Sequence, residues 1–556
     1  VHIIVARDPD GTFAARAPEG GPAASGLSAA ELARHAAGWE RELRPRWVFT
    51  SVEHDYPALL GGGVRVRRCH DLALTEGLLL AAEERGEQPR SLAAAYARAR
   101  GLEPPAEVEY TALDDQPALF QPRGPGLPGG VAPLDAAELV LAEQRRRIGR
   151  VPHPDRMRLL VAAESASALA AAEMSADGLP WRADVHDALL TELLGGRVPA
   201  GQRPPKLAAL AERIQEAFGG RPVNPDHPGS VVRAFGRAGI EVPSARAHVL
   251  RALDHPAVEP LLEYKELARL HSAHGWAWLE HWVHGDRFRP VYVVGGVVSG
   301  RWASRGGAAL QIPRALRVCV RADPGWKLVV ADAAQLEPRV LAALSGDRGL
   351  ARVSASADLY DSLADAMFGQ ARGRTPDDRG RAKIAMLSAM YGGTAGEAAS
   401  LLALLRQRFP EAVSYVERAA LAGERGEVVR SRLGRTSPPP SAAWRALTGG
   451  TGDEGTARRA ARDWGRFTRN FVVQASAADW TAVLLATLRG RLPEPARLVF
   501  FQHDEVLVHA PAGLAERVRS GLEESVREAS ALVFGTSCPV RFPMAAAVVD
   551  CYADAK

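Results

Sequence analysis

Two acidic positions at the ends of apolar strands are where this chain could do chemistry. In Leu498 to His509, LVFFQHDEVLVH, two apolar, β-branched runs flank a polar knot, His503-Asp504-Glu505, which predicts the tip of a β-hairpin. Neighbouring carboxylates at such a tip repel one another unless a cation holds them. A second strand of this kind, Trp326 to Leu336, carries Asp332 after an apolar run, with Glu337 five residues further on. If the two strands pair, Asp332 and Asp504 converge, the geometry that a two-metal phosphoryl-transfer site requires. Taken singly, each acid reads equally well as the cap of a strand or turn.

A third segment adds cations at a regular step. Thr375-Pro376-Asp377-Asp378 predicts a helix start, with a capping hydroxyl, Pro at the first helical position and acids in the first turn. Gly392-Gly393 predicts its end. Between them Arg379, Lys383, Leu387 and Tyr391 recur every four residues. Each step turns the helix by roughly 400°, so the four form one slowly drifting stripe. Two cations, an apolar side chain and an aromatic hydroxyl suit a triphosphate, a base and a template in that order. Lys383 stands out in a chain whose only other lysines are Lys206, Lys265, Lys327 and Lys556. A solvated cationic helix face would account for Arg379 and Lys383, but less well for the ordered change along the stripe.

At this point the chain resembles the family A DNA polymerases, the DNA polymerase I type. DAAQLEPR (Asp332 to Arg339) is similar to the family's first palm motif, RGRAKIAMLSAMYGG (Arg379 to Gly393) to its fingers helix, and QHDE (Gln502 to Glu505) to its third motif. SGRWASRGGAALQIP (Ser299 to Pro313) and RFTRNFVVQASAADW (Arg466 to Trp480) parallel two further motifs, all in the family's order. The match runs from about residue 150 to the C-terminus.

The resemblance implies an α/β multidomain chain with the right-hand polymerase fold of palm, fingers and thumb. It also implies an N-terminal RNase H-like, exonuclease-type α/β domain and a stand-alone bacterial form without a 5′-nuclease domain. The expected parts are an exonuclease-like domain over 1–115, a Pro/Gly linker over 116–134 and a helical connector and thumb over 135–290. Palm over 291–345, fingers over 346–480 and the rest of the palm over 481–556 complete the chain.

By the same resemblance the chain adds deoxynucleotides to a primer 3′-hydroxyl on template DNA, as a monomer, in repair or gap filling. Asp332, Asp504 and the carbonyl of Ala333 would hold two Mg²⁺ ions, with Mn²⁺ as a substitute, and Glu505 would orient ligands or water. Arg379 and Lys383 would grip the triphosphate, with Lys383 the proton donor to the leaving pyrophosphate. Leu387 stands where relatives carry Phe or Tyr, Tyr391 lies by the templating base, and His503 borders the nucleotide. Glu337 matches the steric gate against ribonucleotides. Arg301, Arg466, Asn470 and Gln474 would track DNA; the last three share one helix face, suited to sequence-tolerant contacts in the minor groove.

At 556 residues, two to four subdomains are expected. Hydrophobic content of 47% and charged content of 24% are ordinary for a globular chain, and a net charge of +4 permits a polyanionic partner without requiring one. Cys69, Cys319, Cys538 and Cys551 form no CxxC pair, so neither a zinc site nor a disulfide framework is suggested. No run of eighteen apolar residues appears, so no membrane partner is expected and the cytoplasm, at the nucleoid, is the default place.

Strands are predicted at His2 to Ala6, Trp47 to Ser51, Val64 to Arg67, Arg289 to Val298, Lys327 to Ala331 and Met544 to Asp550. A long helical segment is predicted around Pro260 to Trp282, and a flexible interruption at Thr436 to Thr456. The exonuclease-type domain lacks the DxE strand and the YxxxD of its relatives. Asp8 and Asp10 fall in a turn, Asp55 alone remains as a candidate acid, and one carboxylate cannot hold two metals. The domain therefore reads as catalytically dead. Two rivals remain: a single-subunit RNA polymerase, which Glu337 disfavours, and a non-catalytic DNA-binding scaffold with the polymerase fold.

Overall fold

A computed structural model describes residues 1–106, 126–199, 201–305, 311–369, 375–393, 396–450 and 453–555. Most of the expected 116–134 linker, the 306–310 part of the Ser299 to Pro313 motif, and 451–452 lie outside the described residues. The chain forms two compact units. One comprises 1–176, 292–303 and 329–548; the other comprises 177–291, 304–328 and 549–556.

The first unit begins with a five-stranded sheet of β1 (His2–Arg7), β2 (Phe13–Arg16), β3 (Ala23–Leu27), β4 (Arg46–Phe49) and β5 (Cys69–Asp71), ordered β3-β2-β1-β4-β5. β1, β4 and β5 run parallel and read as unbroken apolar runs, because both of their faces are covered. Ile3, Val5, Trp47 and Phe49 face α1 (Ala29–Leu43) and α2 (Val52–Gly61); Ile4 and Val48 pack with the start of α3 (Leu72–Ala82), α4 (Leu92–Ala99) and α5 (Pro133–Ile148). The predicted strand at Val64 to Arg67 is displaced to β5. β2 and β3 escaped the sequence reading because their Ala and Gly residues carry little β propensity; antiparallel pairing to β1 creates them. α5, expected in the connector, packs on this sheet instead and ties Asp135 to Arg16 at 2.8 Å.

After α6 (Pro154–Asp177), the same unit contains a second sheet. Its strands are β6 (Trp326–Ala333), β7 (Arg497–Gln502), β8 (Glu505–Pro511) and β9 (Met544–Val549), ordered β7-β8-β6-β9. Helices fill the sequence between β6 and β7, including α7 (Leu336–Ser345), α8 (Asp378–Tyr391) and the 38-residue α9 (Glu454–Arg491). The expected interruption at Thr436 to Thr456 is partly ordered: Ala442–Gly449 is helical, capped by Ser441, and the Trp444 indole donates to the Ala460 carbonyl at 2.9 Å. α6 and α9 are by length and average hydropathy able to cross a membrane, although neither holds an unbroken run of eighteen apolar residues, and 67% and 78% of their apolar windows are buried inside the protein. They are core helices here.

A buried charge cluster joins them. The Arg435 guanidinium meets Glu164 of α6 at 2.8 Å and Asp479 of α9 at 3.0 Å, and the Ser431 hydroxyl donates to Asp479 at 2.5 Å. Gly300, at φ +85°, is needed beside it, since a Cβ there would come within 2.4 Å of Arg435 Nε.

The second unit is mostly helical around an aromatic cluster of Trp181, His186, Trp278 and Phe288, with a small sheet formed by Leu179–Pro180, Val283–His284 and Arg287–Phe288. The single segment expected over Pro260 to Trp282 is two helices, Val258–His274 and Trp276–Trp282. They break at Gly275, where a Cβ would lie 2.2 Å from the His271 carbonyl oxygen.

Candidate active site

The two strand-end acids meet as their spacing predicts. β7 and β8 form the expected hairpin, with Gln502 opposite Glu505 and His503-Asp504 as the turn. His503 takes the left-handed conformation, φ +57°, that so tight a turn requires. β8 lies beside β6, and the Ala333 N–H donates to the Asp504 carbonyl at 3.1 Å. That backbone bond sets Asp332 and Asp504 side by side. Burial, then the nearby Asp332 charge, pushes the Asp504 carboxyl up to about 7. Glu337 adds to the shift in the same direction. The folded chain has thus gathered more negative charge here than it neutralises. Glu505 is buried at the start of β8, and burial followed by Arg301 lowers the His503 imidazole.

Among the described residues no group of three or more His, Cys, Asp or Glu side chains forms a metal cage. Two carboxylates and the Ala333 carbonyl nevertheless fit Mg²⁺, which prefers hard oxygen donors and keeps places for water and substrate phosphates. The raised Asp504 carboxyl fits it too, because a cation between the acids would relieve their repulsion.

α8 presents the stripe with one correction at its start. The helix begins at Asp378, not Pro376; its Asp377 N-cap makes no side-chain bond, and the Asp378 carboxylate instead accepts from the Thr375 N–H at 2.8 Å. Gly392 ends it in the left-handed conformation, as expected. Lys383 is exposed and Leu387 half-buried. Arg379 is already engaged: its guanidinium pairs with Asp358 at 2.7 Å and sits 5.9 Å from the Tyr360 ring. The sequence offered no hint of this, because Asp358 lies in another helix start, capping Tyr360 and Asp361.

Three motifs converge next to it. Glu337, on the first turn of α7, accepts from the Tyr391 hydroxyl at 2.6 Å and is ion-paired with Arg301. Gln474 of α9 also donates to the Tyr391 hydroxyl. Arg301, expected on DNA, is therefore held by the expected gate residue in this conformation. Arg466 lays its aliphatic stem against Gly392 and pairs with Asp463, while the buried Asn470 Oδ1 has no hydrogen-bond partner among the described residues. Arg466, Asn470 and Gln474 thus share the α9 face toward the end of α8.

One positioning residue was missed. Arg339, wholly buried, donates to five backbone carbonyls: Ala334, Ser354, Ser356, Ala357 and Arg541. Burial lowers its guanidinium to about 10. It locks the turn after Asp332 in place. Its position at the end of the DAAQLEPR motif was the signal.

In the N-terminal sheet, Asp55 lies in α2, not on a strand, and is buried; it accepts from the Thr50 N–H at 2.9 Å and the Thr50 hydroxyl at 2.7 Å. A second acid, Asp71, which the sequence reading passed over, accepts from the Val52 N–H at 2.7 Å and the Leu74 N–H at 2.8 Å. Burial pushes Asp71 up to about 6, and the charge of Asp55 contributes. Both acids bond the chain where β4 and β5 give way to helices.

A mixed α/β molecule with paired strand-end acids in an antiparallel hairpin sheet, fronted by a cationic helix, has the fold of a family A polymerase. A model of DNA polymerase family A matches residues 236–548, and the chain belongs to that family. It is 31% identical over 305 residues to the thermostable DNA polymerase I of Thermus thermophilus, covering 50% of this chain and 35% of that protein. It is 28% identical over 345 residues to DNA polymerase I of Chloroflexus aurantiacus, covering 55% and 35% respectively. The chain thus spans about a third of the length of these curated relatives. The POL domain of Pol1 from M. smegmatis, solved in complex with DNA primer-template and dNTP, shares the fold with a TM-score of 0.73 at 18% identity, covering 100% of this chain and 96% of that one.

Proposed function

We propose that this chain is a template-directed DNA polymerase that adds dNTPs to a primer 3′-hydroxyl and releases pyrophosphate. One observation carries the reading: Asp332 and Asp504 sit side by side across hydrogen-bonded strands. Family membership and the primer-template and dNTP bound to the M. smegmatis domain support it. Two Mg²⁺ ions, or Mn²⁺, held by Asp332, Asp504 and the Ala333 carbonyl would lower the pKa of the primer hydroxyl and neutralise the leaving group.

The chain's own residues do the rest. Glu505, buried at the start of β8, orients metal ligands or water beside Asp504. Lys383 reaches the triphosphate from its exposed position and gives a proton to the departing pyrophosphate. Arg379 exchanges Asp358 for phosphate oxygens, a like-for-like swap of anions around one guanidinium. Leu387 offers an aliphatic contact to sugar and base where relatives have a ring. His503 borders the nucleotide, and Arg301, Arg466, Asn470 and Gln474 follow the DNA. In this reading the palm spans 291–345 and 481–556, the fingers 346–480, and connector and thumb the helices between α5 and 290, α5 itself belonging to the N-terminal sheet. The working enzyme is a cytoplasmic monomer engaged in repair or gap filling. Four reactions on one primer-template, each with a single dNTP, test the reading. Only the complementary nucleotide should be added, and only with Mg²⁺. Addition regardless of template, or in EDTA, would overturn it.

Glu337 acts as the gate against ribonucleotides, held rigid by Tyr391 and Arg301. Glu337→Ala should therefore admit ribonucleotides by on the order of 10³-fold more than wild type, the scale at which a clash and an unpaired polar group discriminate. Relative rNTP and dNTP incorporation efficiencies measure this; an unchanged ratio would place the gate elsewhere.

The exonuclease-type domain is inactive in this reading, because it lacks the DxE and YxxxD acids of its relatives, and the two acids it keeps nearby, Asp55 and Asp71, cap the chain where strands turn into helices. A mismatched primer incubated with Mg²⁺ and no dNTP should keep its 3′ end. Steady shortening that Asp55→Asn abolishes would contradict this.

A further inference from the structure

The N-terminal sheet carries a cationic cavity that nothing in the polymerase reading uses. On the face covered by α5, the strands present Ile4 and Val48 at mid-length, but His2 and Arg46 at their N-terminal ends and His70 on β5. There the sheet and helix part to leave a cavity of about 470 Å³, rimmed by His2, Arg46, His70, Arg145 and Arg158. Leu141, Ile148, Val161 and Ala162 supply its apolar wall. It lies at the opposite end of β1 and β4 from Asp8 and Asp55.

Among the described residues no carboxylate lines this cavity. The acids of α5 are committed elsewhere, Asp135 and Glu138 to Arg16 and Glu143 to Arg146. Asp155 takes Arg158 at 2.6 Å and Glu19 takes His2 at 2.8 Å. Among the described residues no acid pairs with Arg46 or Arg145; the Arg46 guanidinium donates to the Cys69 carbonyl, at 2.9 Å. The guanidiniums here feel one another and help hold His70 neutral. Burial lowers the Arg46 guanidinium, and Arg68 and Arg145 lower it further. His70, pushed down to about 4 by burial, is also depressed by Arg46 and Arg145, while its hydrogen bond to Gln144 acts the other way. Two guanidiniums, Arg46 and Arg145, thus share this mouth with no acid of their own among the described residues, and an anion from solution would stabilise them.

We propose that this cavity binds a phosphomonoester with an apolar body, of the nucleoside 5′-monophosphate class, with the phosphate at the arginine rim and the base on the aliphatic wall. The cavity is within the size range of small-ligand pockets, whose usual pattern is apolar walls with a few convergent polar groups. Arginine forks suit phosphate oxygens, which accept two parallel N–H bonds. The inference does not rest on the polymerase reading, since binding is measured directly.

The test is equilibrium dialysis of the full chain with dAMP, alongside inorganic phosphate and uncharged deoxyadenosine. Arg145→Ala and Arg158→Ala are suitable variants, because both side chains are exposed and unfolding is not expected. Each should weaken dAMP binding about tenfold, the loss of one charge-assisted hydrogen bond, and leave primer extension unchanged. Wild type should bind dAMP more tightly than phosphate or deoxyadenosine. No dAMP binding, undiminished binding in both variants, or equal affinity for either fragment would overturn the proposal.

Discussion

Asp332→Ala or Asp504→Ala is expected to slow nucleotide addition by about 10³-fold or more while primer-template affinity stays near wild type. The rate loss corresponds to about 4 kcal/mol or more of transition-state stabilisation, the scale of charge neutralisation by a metal clamp. Affinity survives because phosphate contacts spread over the protein supply most of it. The fold should survive too, since β6 and β8 are joined through the backbone of Ala333 and Asp504, which alanine retains. A second signature separates the site from a structural role. Asp332 raises the Asp504 carboxyl, after burial, so Asp332→Ala should bring Asp504 down from about 7 in the metal-free protein. Single-turnover extension, a mobility-shift titration and a carboxyl titration together measure these outcomes.

The largest stability effect is expected at Arg435. Arg435→Met would leave Glu164 and Asp479 buried without their cation and should cost about 3–5 kcal/mol, the usual penalty for removing one partner of a buried pair. The loss should depend on pH in a definite sense. Asp479 is already raised by burial, with Arg435 holding it down; without Arg435 it rises further. A carboxyl raised in the folded state binds more protons folded than unfolded. Stability then falls as pH climbs from the unfolded value, about 4, through the raised folded one. The variant should therefore lie closest to wild type under acid conditions and furthest from it above neutrality. Thermal melts of both proteins across that range measure the difference; a deficit that does not change with pH would mean that the acids stay ionised.

How much of this was legible in the sequence depended on how local the signal was. Asp332 and Asp504 were readable because apolar runs point at them and the hairpin turn is compact. The end of α8 at Gly392 was readable because a left-handed residue there favours glycine. Arg379 was placed on the right helix but its ion pair with Asp358 was invisible, since the partner lies 21 residues away at another helix start. The Arg435 cluster has no local signature at all: Glu164, Arg435 and Asp479 meet only after α6 and α9 pack. β2 and β3 failed for a different reason, because alanine and glycine become strand residues only when a stronger neighbour offers them hydrogen bonds. Gly275 was visible as a residue, but a single glycine in a helical pattern does not announce a break; that only glycine fits there, beside the His271 carbonyl, shows only in the folded chain.

The most direct test is to count metal ions at the paired acids. Electron paramagnetic resonance titration of the full chain with Mn²⁺, in the presence of primer-template and a non-hydrolysable dNTP, reports bound ions without relying on turnover. Two tightly bound ions are predicted for wild type, with both sites lost or greatly weakened in Asp332→Ala and in Asp504→Ala. Two ions retained at unchanged affinity in either variant would contradict the assignment of Asp332 and Asp504 as the metal-holding centre.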